Sequence, residues 1–255
     1  AGLQALFENP LADPGLIGTS AGAALGVVGV LALGWTGVSV PLAAFAGALA
    51  VCLLILAAHR FTGGGISGLL ILGLIVSAFC SATVSLILFL SDDLTLRSAS
   101  IWLAGSLAEA GFVPPGRVAL VMLAGLALLL SCGRGLDCLM LGEDTAHSSG
   151  IAVGRLRVQT VIAAALLTGA AVSLSGIIGF IGMMVPNILA SAVGGGRRRL
   201  IVLSAWLGGM MLLVLDSAAR WIAFPVDLPV GIVIALLGGP FFMWLFLHSI
   251  HRKAG

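Results

Sequence analysis

The chain has 255 residues, 60% hydrophobic and only 9% charged, with a mean hydropathy of +1.21. Soluble domains carry about 25% charged residues, so most of this chain cannot face water, and the hydropathy excludes a disordered polymer despite the 36 Gly. A net charge of +2 is too small to point to nucleic acid, and four cysteines without a CxxC spacing or a neighbouring His cluster point away from a metal site.

Runs free of Asp, Glu, Lys, Arg and His cover residues 14–58, 61–91 and 158–196, that is 45, 31 and 39 positions. A helix needs about 20 apolar residues to cross the hydrocarbon, and the apolar segments recur to the end, which excludes a lone signal peptide. In chain order, crossings are predicted near 17–34, 38–59, 66–91, 116–133, 156–174, 180–193, 199–221 and 228–248. Gly34-Trp35-Thr36-Gly37 makes a tight hairpin between the first two, and residues 95–110 form an amphipathic stretch too short to span, placed at one surface. Gly176, Gly179 and Gly182 break what would otherwise be a single 39-residue helix, and Pro186 interrupts the segment after them. The predicted class is an all-α polytopic transmembrane bundle, with residues 1–255 as one domain.

With eight crossings, loops on the side of both termini carry Arg60, Arg134, Arg155, Arg157, Arg197, Arg198, Arg199, Arg252 and Lys253, and the opposite loops carry Arg97, Arg117 and Arg220. Nine against three places both ends in the cytoplasm. Lys253 is the sole lysine, so no Gly-Lys-Ser/Thr phosphate loop exists; if ATP drives this protein, another chain binds it.

Gly22 and Gly26 form a GxxxG, and Ser77, Ser81 and Ser85 recur every fourth position; both suit ordinary intramembrane packing, and the serines equally suit a polar stripe along a pathway. Asp216 and Arg220 share a helix face and can pair, either as a functional intramembrane charge or as an ion pair at headgroup level. The polar segment Leu139–Ile151 is either a solvated loop or a docking element. Gly65-Ile66-Ser67-Gly68 has the GxSG form of intramembrane serine proteases, with His147, His248 or His251 as the available partners, but so short a match is cheap in a glycine-rich chain.

Five ordered motifs go beyond these local readings. Gln4-Ala5-Leu6-Phe7-Glu8-Asn9-Pro10-Leu11-Ala12-Asp13-Pro14-Gly15, continued by Gly18-Thr19-Ser20-Ala21-Gly22-Ala23, closely resembles the hallmark loop of the permease subunits of iron-siderophore, haem and cobalamin ABC importers, the type II importers of FecCD/BtuC-like fold. Leu141-Gly142-Glu143-Asp144-Thr145-Ala146 with Gly150 resembles their cytoplasmic LGE-x-x-A loop, and Gly179-Phe180-Ile181-Gly182-Met183-Met184-Val185-Pro186 resembles GFIGLVVPH. Asp216–Arg220 and Asp227–Val233, the latter followed by Gly238-Gly239-Pro240, complete the series. Asn187 stands where that family usually has His, Ala190-Ser191 replaces a common Arg, Ile234 a usual Thr and Gly239 a usual Ala.

The resemblance implies a ten-helix permease, of which about eight crossings are visible and about two are missing from the front. It implies a second permease subunit, two cytoplasmic ATPase subunits that use ATP and Mg, a periplasmic or lipid-anchored substrate-binding protein, and the bacterial inner membrane. It implies no cofactor or metal bound by this chain and no catalytic group. Within residues 136–151, Leu141, Gly142, Glu143, Asp144, Ala146 and Gly150 match the coupling helices that enter a groove of the ATPase. Arg220, with Asp216, matches a docking site for a glutamate of the binding protein. Helices 66–91 and 228–248 match those lining the pathway, which brings in Ser77, Ser81, Ser85, Gly231 and Ile234; Asn9, Pro10, Asp13, Pro14, Gly179, Gly182 and Pro186 are motif residues with a structural role. An ion-coupled secondary transporter using Asp216 is the alternative, since discontinuous helices around 175–186 suit such a design.

Overall fold

A computed structural model describes residues 1–62, 65–108, 110, 115–192 and 194–254, with side chains omitted for residues 115, 191 and 244–254. Among the described residues the structure is helical throughout. The elements are α1 (Gly2–Leu6), a 3-10 turn (Pro14–Ile17), α2 (Thr19–Ala32), α3 (Val40–Thr62), α4 (Gly65–Leu90), α5 (Asp93–Ala104), α6 (Pro115–Leu139), α7 (Glu143–Ser148), α8 (Val153–Ser175), α9 (Ile181–Ala192), α10 (Arg197–Ala223) and α11 (Val230–Ala254). Five helices, α3, α4, α6, α8 and α10, are long and apolar enough to cross a membrane. Three shorter apolar stretches, Thr19–Ala32, Ile181–Ala190 and Val230–Met243, occupy the remaining predicted segments.

The breaks fall where the backbone chemistry requires them. α8 ends at Ser175 because Gly176 turns to φ 66°, and α9 starts only at Ile181. The 3-10 turn opens on Asp13, whose Oδ1 accepts the Gly15 N–H at 2.7 Å, and it closes on Gly18 at φ 76°. Three boundaries differ from expectation by more than three residues, one of them the end of α11, at Ala254 instead of 248. α6 continues six residues past 133, to Leu139, where its polar turn is satisfied by a distant element: Asp137 accepts the backbone N–H of Arg197 at 2.8 Å. The surface helix expected over 95–110 is α5, ending at Ala104 where Gly105 takes φ 73°; residue 109 of that stretch lies outside the described residues. The side chains of His248, Arg252 and Lys253 also lie outside the described set, and with them the Ser67–His248 pairing.

α8 is the central post: 56% of its apolar window is buried, against 6% for α10. Helices in lipid gain little from hydrophobicity and instead associate where small residues let backbones approach, and the first crossing is such a contact. A Cβ on Gly47 of α3 would lie 3.0 Å from the Gly22 carbonyl carbon and 3.2 Å from Gly26 Cα, so the GxxxG of α2 is a packing surface. A second backbone junction gathers three elements. Ser106 N–H donates to Ser175 O at 2.7 Å and Gly231 N–H to Gly105 O at 3.0 Å, so the end of α5, the end of α8 and the start of α11 are tied without side chains.

Candidate coupling, docking and pathway sites

Between α6 and α8 the chain makes a compact excursion. Gly142 sits at φ 114°, ψ 150°, a region effectively reserved for glycine, and this reverses the chain into α7. Ala146 is wholly buried and seats α7 on the bundle beside buried Leu139 and Val153. Ile151 N–H returns to Ala146 O at 3.0 Å after the turn at Gly150, φ 78°. Arg157 of α8 donates to Glu143 Oε2 at 2.6 Å, and His147 Nε2 lies 3.9 Å from the other carboxylate oxygen. Of the residues singled out in this loop, Ala146 and Gly142 therefore shape and seat α7, Glu143 pins it to α8, and Leu141 and Asp144 face outward, Leu141 at 73% exposure.

The two glycine- and proline-rich motifs, about 170 positions apart in sequence, meet in space. A Cβ on Gly182 would touch Pro14 Cδ at 3.7 Å and Asp13 Oδ2 at 3.9 Å. Asn187 Nδ2 donates to Pro10 O and to Met183 O, each at 2.9 Å, and buried Gln4 donates to the same two carbonyls at 2.6 and 3.3 Å. Asn9 Oδ1 accepts Leu11 N–H at 2.9 Å and shapes the loop. Two side-chain amides thus clamp the Pro10 loop to α9, the helix that contains Pro186. Burial holds the Asp13 carboxyl above its ordinary value, with the Gly15 N–H opposing. Phe180, at φ 66°, leads into α9 with its ring against Gly238 of α11.

At the far end of α10, Arg220 Nε donates to Asp216 Oδ2 at 2.9 Å, the i,i+4 pair expected from the spacing; the arginine side chain is 46% exposed and the carboxylate 16%. On α4, Ser77 is half-buried and donates to Gly15 O at 3.4 Å, whereas Ser81 and Ser85 are exposed. Gly231 and Ile234 are buried within this chain, Gly231 with the Ala104 carbonyl carbon 3.2 Å from where its Cβ would be. Among the described residues no group of three or more His, Cys, Asp or Glu is placed to hold a metal ion.

Gln4 and Arg157 were not legible as site residues. Arg157 lies 14 positions from Glu143 across the Gly150 turn, a distance no local periodicity links, and Gln4 became meaningful only when α9 was placed beside it.

The sequence profile of the FecCD transport family matches residues 1–248. The chain belongs to this family. Among FecCD relatives, the hemin transport system permease protein HmuU of Yersinia pestis is 37% identical over 262 residues, covering 99% of this chain and 78% of that protein. The vitamin B12 import system permease protein BtuC of Vibrio parahaemolyticus is also 37% identical, covering 98% of this chain and 76% of that protein. In fold, the chain matches a solved inward-facing metal-chelate type ABC transporter with a TM-score of 0.85 at 28% identity, covering 97% of this chain and 79% of that one.

Proposed function

We propose that this FecCD permease moves a bulky metal chelate, an iron(III)-siderophore complex or a haem- or cobalamin-type molecule, across the bacterial inner membrane. It works as one of two permease subunits, with two cytoplasmic ATPase subunits that use ATP and Mg and an outer substrate-binding protein. The chain contributes eight crossings to a ten-helix plan, both of its ends facing the cytoplasm, and holds no cofactor itself.

The observation that carries this reading is how α7 is attached. A short helix, with exposed Leu141 just before it and Asp144 and Thr145 facing outward on it, is seated by buried Ala146 and pinned by Glu143 to Arg157 on α8. α8 is the most buried of the five long helices. Closure of the ATPase dimer against residues 136–151 displaces α7, and α8 transmits that displacement to the core. Outside, the binding protein docks on Arg220, with Asp216 orienting the guanidinium. The cargo passes beside α4, where Ser81 and Ser85 offer hydroxyls without fixed charge, so selectivity rests mainly with the binding protein. Asn9, Pro10, Asp13, Pro14, Gly179, Gly182 and Pro186 hold the junction about which α9 moves.

The test is reconstitution with candidate ATPase and binding-protein subunits in proteoliposomes, measuring uptake of labelled haemin, cobalamin and ferric siderophores. ATP-dependent uptake that is lost with Leu141→Arg, while basal ATP hydrolysis remains, is the expected result. Uptake without ATP that collapses with the proton gradient would establish the secondary-transporter alternative and overturn this reading.

A further inference from the structure

The charge accounts at one end of the bundle do not close. Arg134, Arg198 and Arg199 are exposed where α6 ends and α10 begins, beside partly buried Arg197. Among the described residues the ion pairs involve Arg157, Arg220 and His147. Asp137, the one carboxylate within α6, already accepts the first N–H of α10, and among the described residues no ion pair joins Arg134, Arg198 or Arg199 to a carboxylate.

Arg198 has an unusual course. Gly133 lacks the Cβ that would collide with the Arg198 stem, so the side chain lies flat across α6. Its Nε donates to the Leu130 carbonyl at 3.0 Å, with the remaining guanidinium N–H groups outside that bond. Leu130 lies three residues inside the predicted span 116–133, so the guanidinium, although exposed, is drawn back along α6 to the edge of the apolar span. An unneutralised cation held at the edge of an apolar span favours an anionic partner there. Arg134 stands one turn from Leu130 on the same face of α6. An arginine fork fixed by its Nε, with a second arginine on the adjoining turn, matches the oxygens of a phosphodiester.

We propose that the surface where Arg198 of α10 crosses α6 beside Gly133 and Arg134 binds the phosphate of an anionic membrane phospholipid. The membrane supplies that anion at the edge of the apolar span, and the excess of Lys and Arg at this end places it in the leaflet richer in anionic lipid.

The experiment is native mass spectrometry of the full chain from mixed micelles containing phosphatidylglycerol and phosphatidylcholine in equal amount. This readout does not depend on transport or on the orientation in the membrane. The wild type is expected to retain phosphatidylglycerol preferentially. Arg134→Gln and Arg198→Gln are each expected to lower the ratio about five-fold, and the double variant about 25-fold. Arg198→Lys, which keeps the charge but loses the Nε bond, is expected to fall between. Arg97→Gln and Arg117→Gln at the opposite end should leave the ratio unchanged, and an unaltered melting curve for each variant separates lipid loss from misfolding. Equal retention of the two lipids by the wild type, or a ratio unaltered in the double variant, would overturn the proposal. So would displacement of the lipid by millimolar inorganic phosphate, which marks a soluble-anion site. Loss of ATPase co-purification with lipid retention intact would assign the patch to a protein interface instead.

Discussion

The α2–α3 contact allows one chemical change, Gly→Ala, to be tested at neighbouring positions with opposite expected signs. A Cβ on Gly26 would lie 3.1 Å from the Ala43 carbonyl carbon and 3.4 Å from Gly47 Cα, and nearer still to the Ala43 oxygen. Relaxed carbon–carbon contacts are about 3.5–4.0 Å, so the helices must part by roughly 0.5–1 Å, and backbone cannot rotate away as a side chain could. Overpacking of this kind costs about 1–3 kcal/mol, and parting the helices also loosens Ala23, Val27, Ala44 and Ala48 on the same contact. Gly29, one turn further along α2, has nothing within 4 Å of its Cβ position. Gly29→Ala therefore keeps only the gain in helix propensity, about 1 kcal/mol. Gly26→Ala gains the same propensity but meets the overpacking, so it should fall about 1–3 kcal/mol below Gly29→Ala, and Gly47→Ala should behave like Gly26→Ala. Equilibrium unfolding in mixed detergent micelles, read by thiol labelling of Cys52 on α3, which is 1% exposed in the folded chain, measures the difference. If Gly26→Ala and Gly29→Ala agree within about 0.5 kcal/mol, the close-approach argument is wrong.

Asn187→Ala removes two side-chain hydrogen bonds, but Gln4 still reaches both carbonyls, so a loss of about 1 kcal/mol is expected in the same unfolding assay. Asn187→His, which retains a ring N–H donor, should lose less. For Arg220→Glu, binding-protein affinity measured by biolayer interferometry should fall about tenfold at low ionic strength, with the difference shrinking as salt is added; unchanged affinity removes Arg220 from the docking surface. Asp13 gives a pH signature. Its carboxyl is raised in the folded state by burial, so its contribution to stability is full below the unfolded pKa and is lost as pH rises through the folded one. Asp13→Asn keeps an acceptor for Gly15 N–H without the buried charge, and it should be more stable than wild type at neutral pH and equal to it in acid. A wild type whose stability rises with pH through that window more steeply than the variant's would contradict the assignment.

How much of this was legible can be judged from particular residues. The hairpin at Gly34, the break after Ser175 and the Asp216–Arg220 pair all follow from short-range rules: positive φ at glycine and helical periodicity. They were therefore present in the sequence. The end of α6 was not, because Arg134 and Asp137 read as the edge of a span until Asp137 was seen to cap a helix 60 positions later. The serine repeat of α4 read as one stripe, yet the 3-10 turn covers Ser77 and leaves Ser81 and Ser85 exposed.

The sequence alone determined that the chain is a multi-pass membrane protein and which segments are helical, since each depends on composition or on residues within a turn of one another. Tertiary structure decided which glycines are contacts and which are mere spacers. It decided that Ala146 is an anchor, that Gln4 and Asn187 share the Pro10 carbonyl, and that Arg198 bends back along α6. Those outcomes depend on backbones brought within a few ångströms by helix crossing, and no pattern confined to one helix encodes where a distant carbonyl will be.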